Sequence, residues 1–344
     1  MKILVTGGAG YIGSHTIIEL IRCGDNDIIS IDNFSNSSLA SFERIKKITG
    51  RNIINYSINL SDREATLQFF KDHKDINKII HFAALKSVSG SMKQPLLYYR
   101  NNVDGLINVL DGALITDCNI FIFSSSCTVY GNIDVLPVNE ETELKAPESV
   151  YGHTKQIGER IIKDYTHSSG SIQCVALRYF NPVGAHPSGL TGEAQGDKPE
   201  NLIPVITAAA SKRQTMSVYG DDYDTRDGSC IRDYVHVCDI ADAHIKAIEY
   251  LESNKNIRYD VFNLGTGNGI SVFEMINAFE RISGIKLNYS IGKRRQGDIP
   301  VMYSDSSKAT ALLKWKADLN VDKMLSSAWK WQKQLSSNDR NKRK

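Results

Sequence analysis

The sequence predicts an α/β fold, a doubly wound parallel sheet with a second, smaller mixed α/β domain. Three observations predict it. Short apolar runs alternate with stretches of helical periodicity down to about residue 180, which is how strand–helix–strand units read when they stack into a parallel sheet. A glycine-rich turn separates the first run from the first helical stretch. Residues with functional chemistry stand just after each run, where the carboxyl ends of such strands hold ligands.

Lys2–Thr6 is the first buried strand, and glycines at 7, 8, 10 and 13 lead into a 3.6-periodic helix over Tyr11–Ile21. In this pattern Gly8 permits the tight turn, Gly10 lets a pyrophosphate approach the backbone, and Gly13 lets helix and strand pack closely. Free amides and the dipole at the helix start hold the phosphate, so the loop needs no basic side chain. It carries none. The second run, Asp27–Ile31, ends at Asp32, where a carboxylate accepts from an adenosine 2′,3′-hydroxyl pair and repels a 2′-phosphate. The implied cofactor is NAD rather than NADP.

The remaining runs are Ile53–Ile58, Lys78–Phe82, Ile120–Phe123 and Val175–Leu177. After them stand Asn59, then Ala83, Ala84, Leu85 and Lys86, then Ser124–Ser126, then Asn181. Asn59 reads equally as an adenine contact or a turn residue, and the two alanines as a ligand wall or as tight packing. Beyond Pro182 long Gly-, Pro- and charge-rich loops mark a boundary. The expected division is a Rossmann-like NAD-binding domain over 1–182, rejoined by 234–267, an interleaved domain over 183–335, and a disordered tail over 336–344.

A net charge of +2 without a basic stripe gives no electrostatic case for nucleic acid. No apolar run is long enough to cross a bilayer, and Thr6 and Gly7 interrupt any signal-peptide core, so a soluble, cytoplasmic protein is expected. Six cysteines without a CxxC pair or a histidine at zinc spacing suit free thiols and no metal.

Tyr151 and Lys155 lie four residues apart at the start of the helical stretch YGHTKQIGERIIKDY, so their side chains share a face. A phenol with a pKa near ~10 is a poor base at neutral pH, but an adjacent ammonium and a cationic nicotinamide favour its ionised form. Ser126, at the tip of a strand, is placed to orient a substrate hydroxyl. The set implies proton removal by Tyr151 with hydride transfer to NAD.

TGGAGYIG, Asp32, FAALKSVSGS, FSSSCTVYG, YGHTK, RYFNPVGAHPSG, NLIP, IRDYVHV, FNLGTG and RRQGDIP together resemble the UDP-glucose 4-epimerase family of the extended short-chain dehydrogenase/reductase superfamily, from residue 1 to about 330. That resemblance implies catalysis by Ser126, Tyr151 and Lys155. It places Gly7, Gly10, Tyr11, Ile12, Gly13, Asp32, Asn33, Asn59, Leu60, Phe82, Ala83, Ala84, Lys86, Ser124 and Tyr179 around NAD, with Tyr151 and Lys155. It assigns Lys86, Ser126, Tyr151, Asn181, Asn201, Leu202, Ser217, Tyr219, Arg232, Arg295, Asp298 and Met302 to a UDP-hexose. Arg232 and Arg295 are also planar, permanent cations suited to a diphosphate, and Asp298 can accept from ribose hydroxyls. The implied reaction is redox-neutral C4 epimerisation of UDP-glucose and UDP-galactose through a 4-keto sugar.

The alternatives are a nucleotide-sugar 4,6-dehydratase and a non-catalytic NAD-sensing protein. Dehydratase relatives carry an Asp-Glu pair immediately before VYG, where this chain has Cys127 and Thr128, and neither can supply the second acid and base. A sensor has no need of Ser126, Tyr151 and Lys155 together. Three departures from the family pattern stand out. Asn59 replaces an Asp; Cys127 replaces an Ala and raises the prospect of thiol sensitivity; Met302 stands where residue bulk governs access of an N-acetyl group. Met302 therefore extends the expected substrates to the UDP-N-acetylglucosamine/UDP-N-acetylgalactosamine pair. The resemblance also implies a homodimer built from helices around Leu96–Leu114 and Gln156–Tyr165.

Overall fold

The computed structural model describes residues 1–24, 27–169, 172–193, 199, 201–295 and 298–342, with side chains to residue 337 except at 169. Six elements build the first half of the main sheet in alternation: β1 (Lys2–Thr6), α1 (Tyr11–Arg22), β2 (Asp27–Ile31), α2 (Ala40–Thr49), β3 (Ile54–Tyr56) and α3 (Arg63–Asp72). β4 (Ile76–His81) follows. Then come the short helices α4 (Val88–Lys93) and α5 (Pro95–Tyr99), a π-helical turn over Arg100–Asp104, and α6 (Gly105–Ala113). β5 (Ile120–Ser126), α7 (Val150–Ser169) and β6 (Gln173–Tyr179) complete the alternation.

The smaller lobe contains β7 (Asn181–Val183), α8 (Leu202–Lys212), β8 (Met216–Tyr219) and β9 (Ile231–His236). The chain then returns to the main lobe with α9 (Val237–Ser253) and β10 (Tyr259–Leu264). It leaves again through β11 (Gly269–Ser271), α10 (Val272–Ser283), β12 (Tyr289–Gly292), β13 (Val301–Met302) and α11 (Val321–Lys342).

The main sheet has seven strands in the order β10-β6-β5-β4-β1-β2-β3, and every pairing is parallel. The order reverses between β1 and β4, which opens a crevice at their carboxyl ends. Both faces of the sheet are covered, as parallel strands require. On one face Ile17, Ile18 and Leu20 of α1 meet Ile240, Ala243 and Ile248 of α9. On the other, Phe69 and Phe70 of α3, Leu106 and Val109 of α6 and Ile162 of α7 form the second core.

The predicted strands are all present; β3 is shorter than expected, because only three residues find a partner on β2. The return of 234–267 to the main lobe divides. α9 and β10 do return, β10 pairing with β6, whereas Tyr234–His236 pairs with β7 in the smaller lobe. The expected disordered tail also differs, since helical backbone runs to Lys342; residues 343–344 lie outside the described residues. Among the described residues no helix is long and apolar enough to cross a membrane. No cluster of three potential metal ligands occurs among them.

Candidate active site

The crevice begins at the turn after β1. Gly7 adopts φ +74°, a left-handed conformation that glycine enters without steric cost, and its amide donates to Ile31 O at 2.7 Å. A Cβ on Gly7 would lie 2.8 Å from the Ala83 nitrogen. The tight turn therefore belongs to Gly7, a correction to the role read for Gly8. At Gly8 a Cβ would meet Ser30 Oγ at 2.4 Å, so that glycine serves packing. Gly13 plays its expected part, because a Cβ there would stand 2.3 Å from Gly7 O. At Gly10 the nearest neighbour of a Cβ is Gly7 O at 3.1 Å, which leaves its other side open.

Gly10 starts α1 without a side-chain cap, so the first amides of a twelve-residue helix face the crevice as an anion site. Tyr11 donates from its hydroxyl to Gly184 O at 2.6 Å, tying this turn to the smaller lobe, and Ile12 packs against the core of the α1 face.

Asp32 ends β2, where its carboxylate accepts from Ala9 N (3.0 Å), Phe34 N (2.9 Å) and Ser37 Oγ (2.7 Å). A carboxylate offers about four lone-pair sites, and these bonds fix its orientation at the crevice. Asn33 beside it is exposed and turns its Oδ1 to Ser35 N. Asn59 is exposed and accepts from Ser61 N (3.2 Å) and Ser61 Oγ (2.9 Å), a local turn, while Leu60 is buried. The turn reading of Asn59 accounts for its oxygen.

After β4, Phe82 packs against the His244 ring at 4.8 Å, and Ala83 and Ala84 line the crevice half-buried. Lys86 is exposed and its Nζ is bound to Glu193 Oε1 at 2.8 Å. The same oxygen accepts from Asn201 Nδ2 at 2.8 Å, so one carboxylate joins a residue expected at the cofactor to one expected at the substrate.

The proton-handling groups meet at the end of β5. Lys155 is buried and donates to Ser124 O at 2.6 Å. Its Nζ lies 5.8 Å from the Tyr151 ring centroid. The Ser126 hydroxyl lies close enough to the Tyr151 phenol to favour its ionised form, and Ser126 Oγ accepts from Thr128 Oγ1 at 3.1 Å. Tyr179 Oη is hydrogen-bonded to His244 Nε2 at 2.7 Å. Burial brings the Lys155 amine down to about 7, opposed by the Glu159 carboxylate. Burial pushes the Tyr151 phenol above its ordinary range, although the Ser126 hydrogen bond works against that. The expected lowering of Tyr151 is thus not supplied by the protein's own residues. The thiol sensitivity expected of Cys127 is also corrected, since burial lifts that thiol to about 12, far from thiolate at neutral pH.

Sequence reasoning missed Asn102, in the π-helical turn. Its side chain accepts from Leu85 N (2.8 Å) and donates to Leu85 O (3.0 Å) and Thr154 Oγ1 (3.0 Å). It locks the loop after β4 to α7. No periodicity marks such a residue, because its partners are remote in sequence.

The smaller lobe faces this edge of the sheet. Asn181 Oδ1 is buried with no hydrogen-bond partner among the described residues, so it is free to accept from a ligand or a water. Asn201 and Leu202 start α8, whose eleven-residue helix has no side-chain cap, a second anion-facing N-terminus. Alternation along β8 exposes Ser217 and Tyr219 on one face, and Arg295 stacks over the Tyr219 ring at 4.5 Å. Arg232 is held by Ile231 O (2.9 Å) and stands 3.9 Å from Asp298. Met302 is buried against Val129, Tyr130, Val138 and Phe180, with Cys127 at the cluster's margin. Residues 296 and 297 of RRQGDIP lie outside the described residues.

The family model described as GDP-mannose 4,6 dehydratase matches residues 4–328. A UDP-glucose 4-epimerase from Erwinia amylovora is 43% identical over 340 residues, covering 98% of this chain and 100% of that protein. The crystal structure of a UDP-glucose-4-epimerase from Stenotrophomonas maltophila, with bound NAD and formylated UDP-arabinopyranose, superposes with a TM-score of 0.93 at 41% identity, covering 98% of this chain and 99% of that one. The UDP-Glc/GlcNAc 4-epimerase from Campylobacter jejuni superposes with a TM-score of 0.82 at 36% identity, covering 97% and 99%. The chain belongs to the family of the matching model and, within it, to the UDP-glucose 4-epimerase family of extended short-chain dehydrogenases/reductases.

Proposed function

We propose that the protein interconverts UDP-glucose and UDP-galactose at C4 through a 4-keto sugar, with NAD resident in the crevice. The carrying observation is the Tyr151–Ser126 hydroxyl pair at the tip of β5, with Lys155 behind it and no carboxylic acid at Cys127 or Thr128. The residues present fit NAD: an open Gly10 at an uncapped helix start and an oriented Asp32 carboxylate. Bound NAD would supply a reversible hydride acceptor and a positive charge that favours an ionised phenol.

Tyr151 takes the proton from the sugar 4-hydroxyl, which Ser126 orients by hydrogen bonding. Lys155, when protonated, favours the ionised phenol across 5.8 Å. The same phenol returns the proton after the keto sugar has turned over. Asn181, the start of α8, Tyr219, Arg232, Arg295 and Asp298 hold the nucleotide, so the hexose can rotate without escaping. Only an anchor remote from the reacting carbon permits that. Tyr151→Phe removes the proton acceptor while preserving ring packing. Turnover of UDP-galactose is expected to fall by about 10²–10⁴-fold with NAD content unchanged, and undiminished turnover would refute the assignment.

A second activity, on the N-acetylhexosamine pair, is favoured by Met302. Its flexible side chain fills the pocket wall beside Cys127 and Phe180 without the rigidity of an aromatic ring. We also infer a homodimer. Leu96 (69% exposed), Leu97 (47%) and Ile107 (40%) leave apolar surface on the helices expected to pair. Sedimentation should give twice the 38.3 kDa chain mass; a monomer at micromolar concentration would contradict it.

A further inference from the structure

Three consecutive serines end β5, and strand alternation turns the middle one away from its neighbours. Ser124 holds Lys155 through its carbonyl, and Ser126 sets its hydroxyl beside the Tyr151 phenol. Ser125, fully buried, points to the other side and donates to Glu159 Oε1. Glu159 is also buried and lies four residues after Lys155 and eight after Tyr151 on α7, one and two turns along the same face. Arg178 of β6 binds its carboxylate with both branches, Nε to Oε1 at 2.9 Å and Nη2 to Oε2 at 2.7 Å.

The sheet register explains why these groups meet. Ser125 of β5 pairs with Arg178 of β6, which pairs with Asn263 of β10. The three side chains form one polar row across the sheet. Arg178 Nη1 donates to Tyr130 Oη at 2.9 Å, and Tyr130 donates to Asn263 Oδ1 at 2.7 Å. An open groove of about 770 Å³ lined by Gln156, Glu159, Arg160, Arg178 and Tyr259 runs beside this stretch of α7. The polar row is what joins α7 to β5 and β6 at this level.

Resting on the epimerase reading, we propose that Glu159 is a positioning residue for the reaction: through Ser125 and Arg178 it sets the axial position of α7 against β5. That places the Tyr151 hydroxyl at Ser126 and the Lys155 amine at Ser124 O. Its charge acts as well. Lys155 is faced from α7 by Tyr151 and Glu159, from β5 by Ser124 O and the Phe123 ring at 4.9 Å, and from β4 by His81. Burial keeps His81 neutral, with a pKa near 3. Glu159 is thus the one negative group among them, and it favours the ammonium.

The test compares wild type, Glu159→Gln, Glu159→Asp and Ser125→Ala, each as purified holoprotein with UDP-galactose. In Glu159→Gln, kcat should fall roughly 10- to 100-fold, since about an ångström of misplacement costs that much, while KM and NAD content stay within twofold. The alkaline limb of its kcat–pH profile should move to lower pH, because the ammonium has lost its supporting charge. Glu159→Asp retains the charge with a shorter reach, so kcat should fall with the limb in place. Ser125→Ala leaves the Arg178–Glu159 pair intact and tests the same link where Glu159→Gln does not fold; its kcat should fall several-fold at unchanged KM. A purely structural role would lower thermal stability and leave the alkaline limb of Glu159→Gln where it is in wild type. That result, or Ser125→Ala with kcat within twofold of wild type, would overturn the proposal. Wild-type protein inert toward UDP-galactose would overturn the epimerase reading instead.

Discussion

Tyr151 and Lys155 are each held by burial in the form less suited to reaction: the phenol is pushed up and the amine down to about 7. For Lys155 this has a consequence for stability. The unfolded chain releases that proton near the ordinary 10.5, so the folded, cofactor-stripped protein carries a full protonation penalty below about pH 7. The penalty fades as pH rises toward 10.5, where both states have lost the proton. Lys155→Met is expected to raise the melting temperature of stripped protein at pH 6 and to lose that advantage by pH 10. An equal shift at both values would show that Lys155 titrates normally. The sequence revealed that this pair shares a helix face, because spacing alone determines that. It did not reveal the sign of either shift, because burial depends on the elements packed around α7.

Among the elements, the turn between β1 and α1 leaves little room for change. A Cβ on Gly13 would overlap the Gly7 carbonyl, a backbone atom that cannot rotate aside. Gly13→Ala is therefore expected to cost roughly 1–3 kcal/mol and to yield protein largely free of NAD, measured by the nucleotide released on denaturation. Full NAD content would contradict the packing argument. The alternation of strands and helices in the main lobe was legible because most of its strands are short, largely apolar and mostly buried runs. The smaller lobe was not. β7, β11 and β13 have three residues or fewer, too short for a period. Their partner β9 lies remote in the chain, which is also why Tyr234–His236 was assigned to the wrong sheet.

Across the whole molecule, two uncapped helix starts, α1 in one lobe and α8 in the other, border the same crevice. Each suits a diphosphate, one of a dinucleotide and one of a nucleotide sugar. Glu193 spans the gap between them by binding both Lys86 and Asn201. Sequence reading placed these residues at ligands but could not show that a shared carboxylate joins them, since the link crosses between lobes. Met302 is buried with Phe180 and Tyr130, Cys127 packing against the cluster; a flexible thioether side chain there leaves room to adapt, so both a hexose and an N-acetylhexosamine are expected to turn over.

The central claim is that the chain carries its own NAD and epimerises at C4. It is tested most directly by incubating purified protein, without added cofactor, with equal UDP-galactose and UDP-N-acetylgalactosamine and following both products by NMR. The account predicts UDP-glucose from the first and slower formation of UDP-N-acetylglucosamine from the second, with the second lost in Met302→Tyr. Conversion only after NAD is supplied would contradict the resident cofactor; no conversion even then, or the appearance of a dehydrated keto sugar, would contradict the epimerase reading.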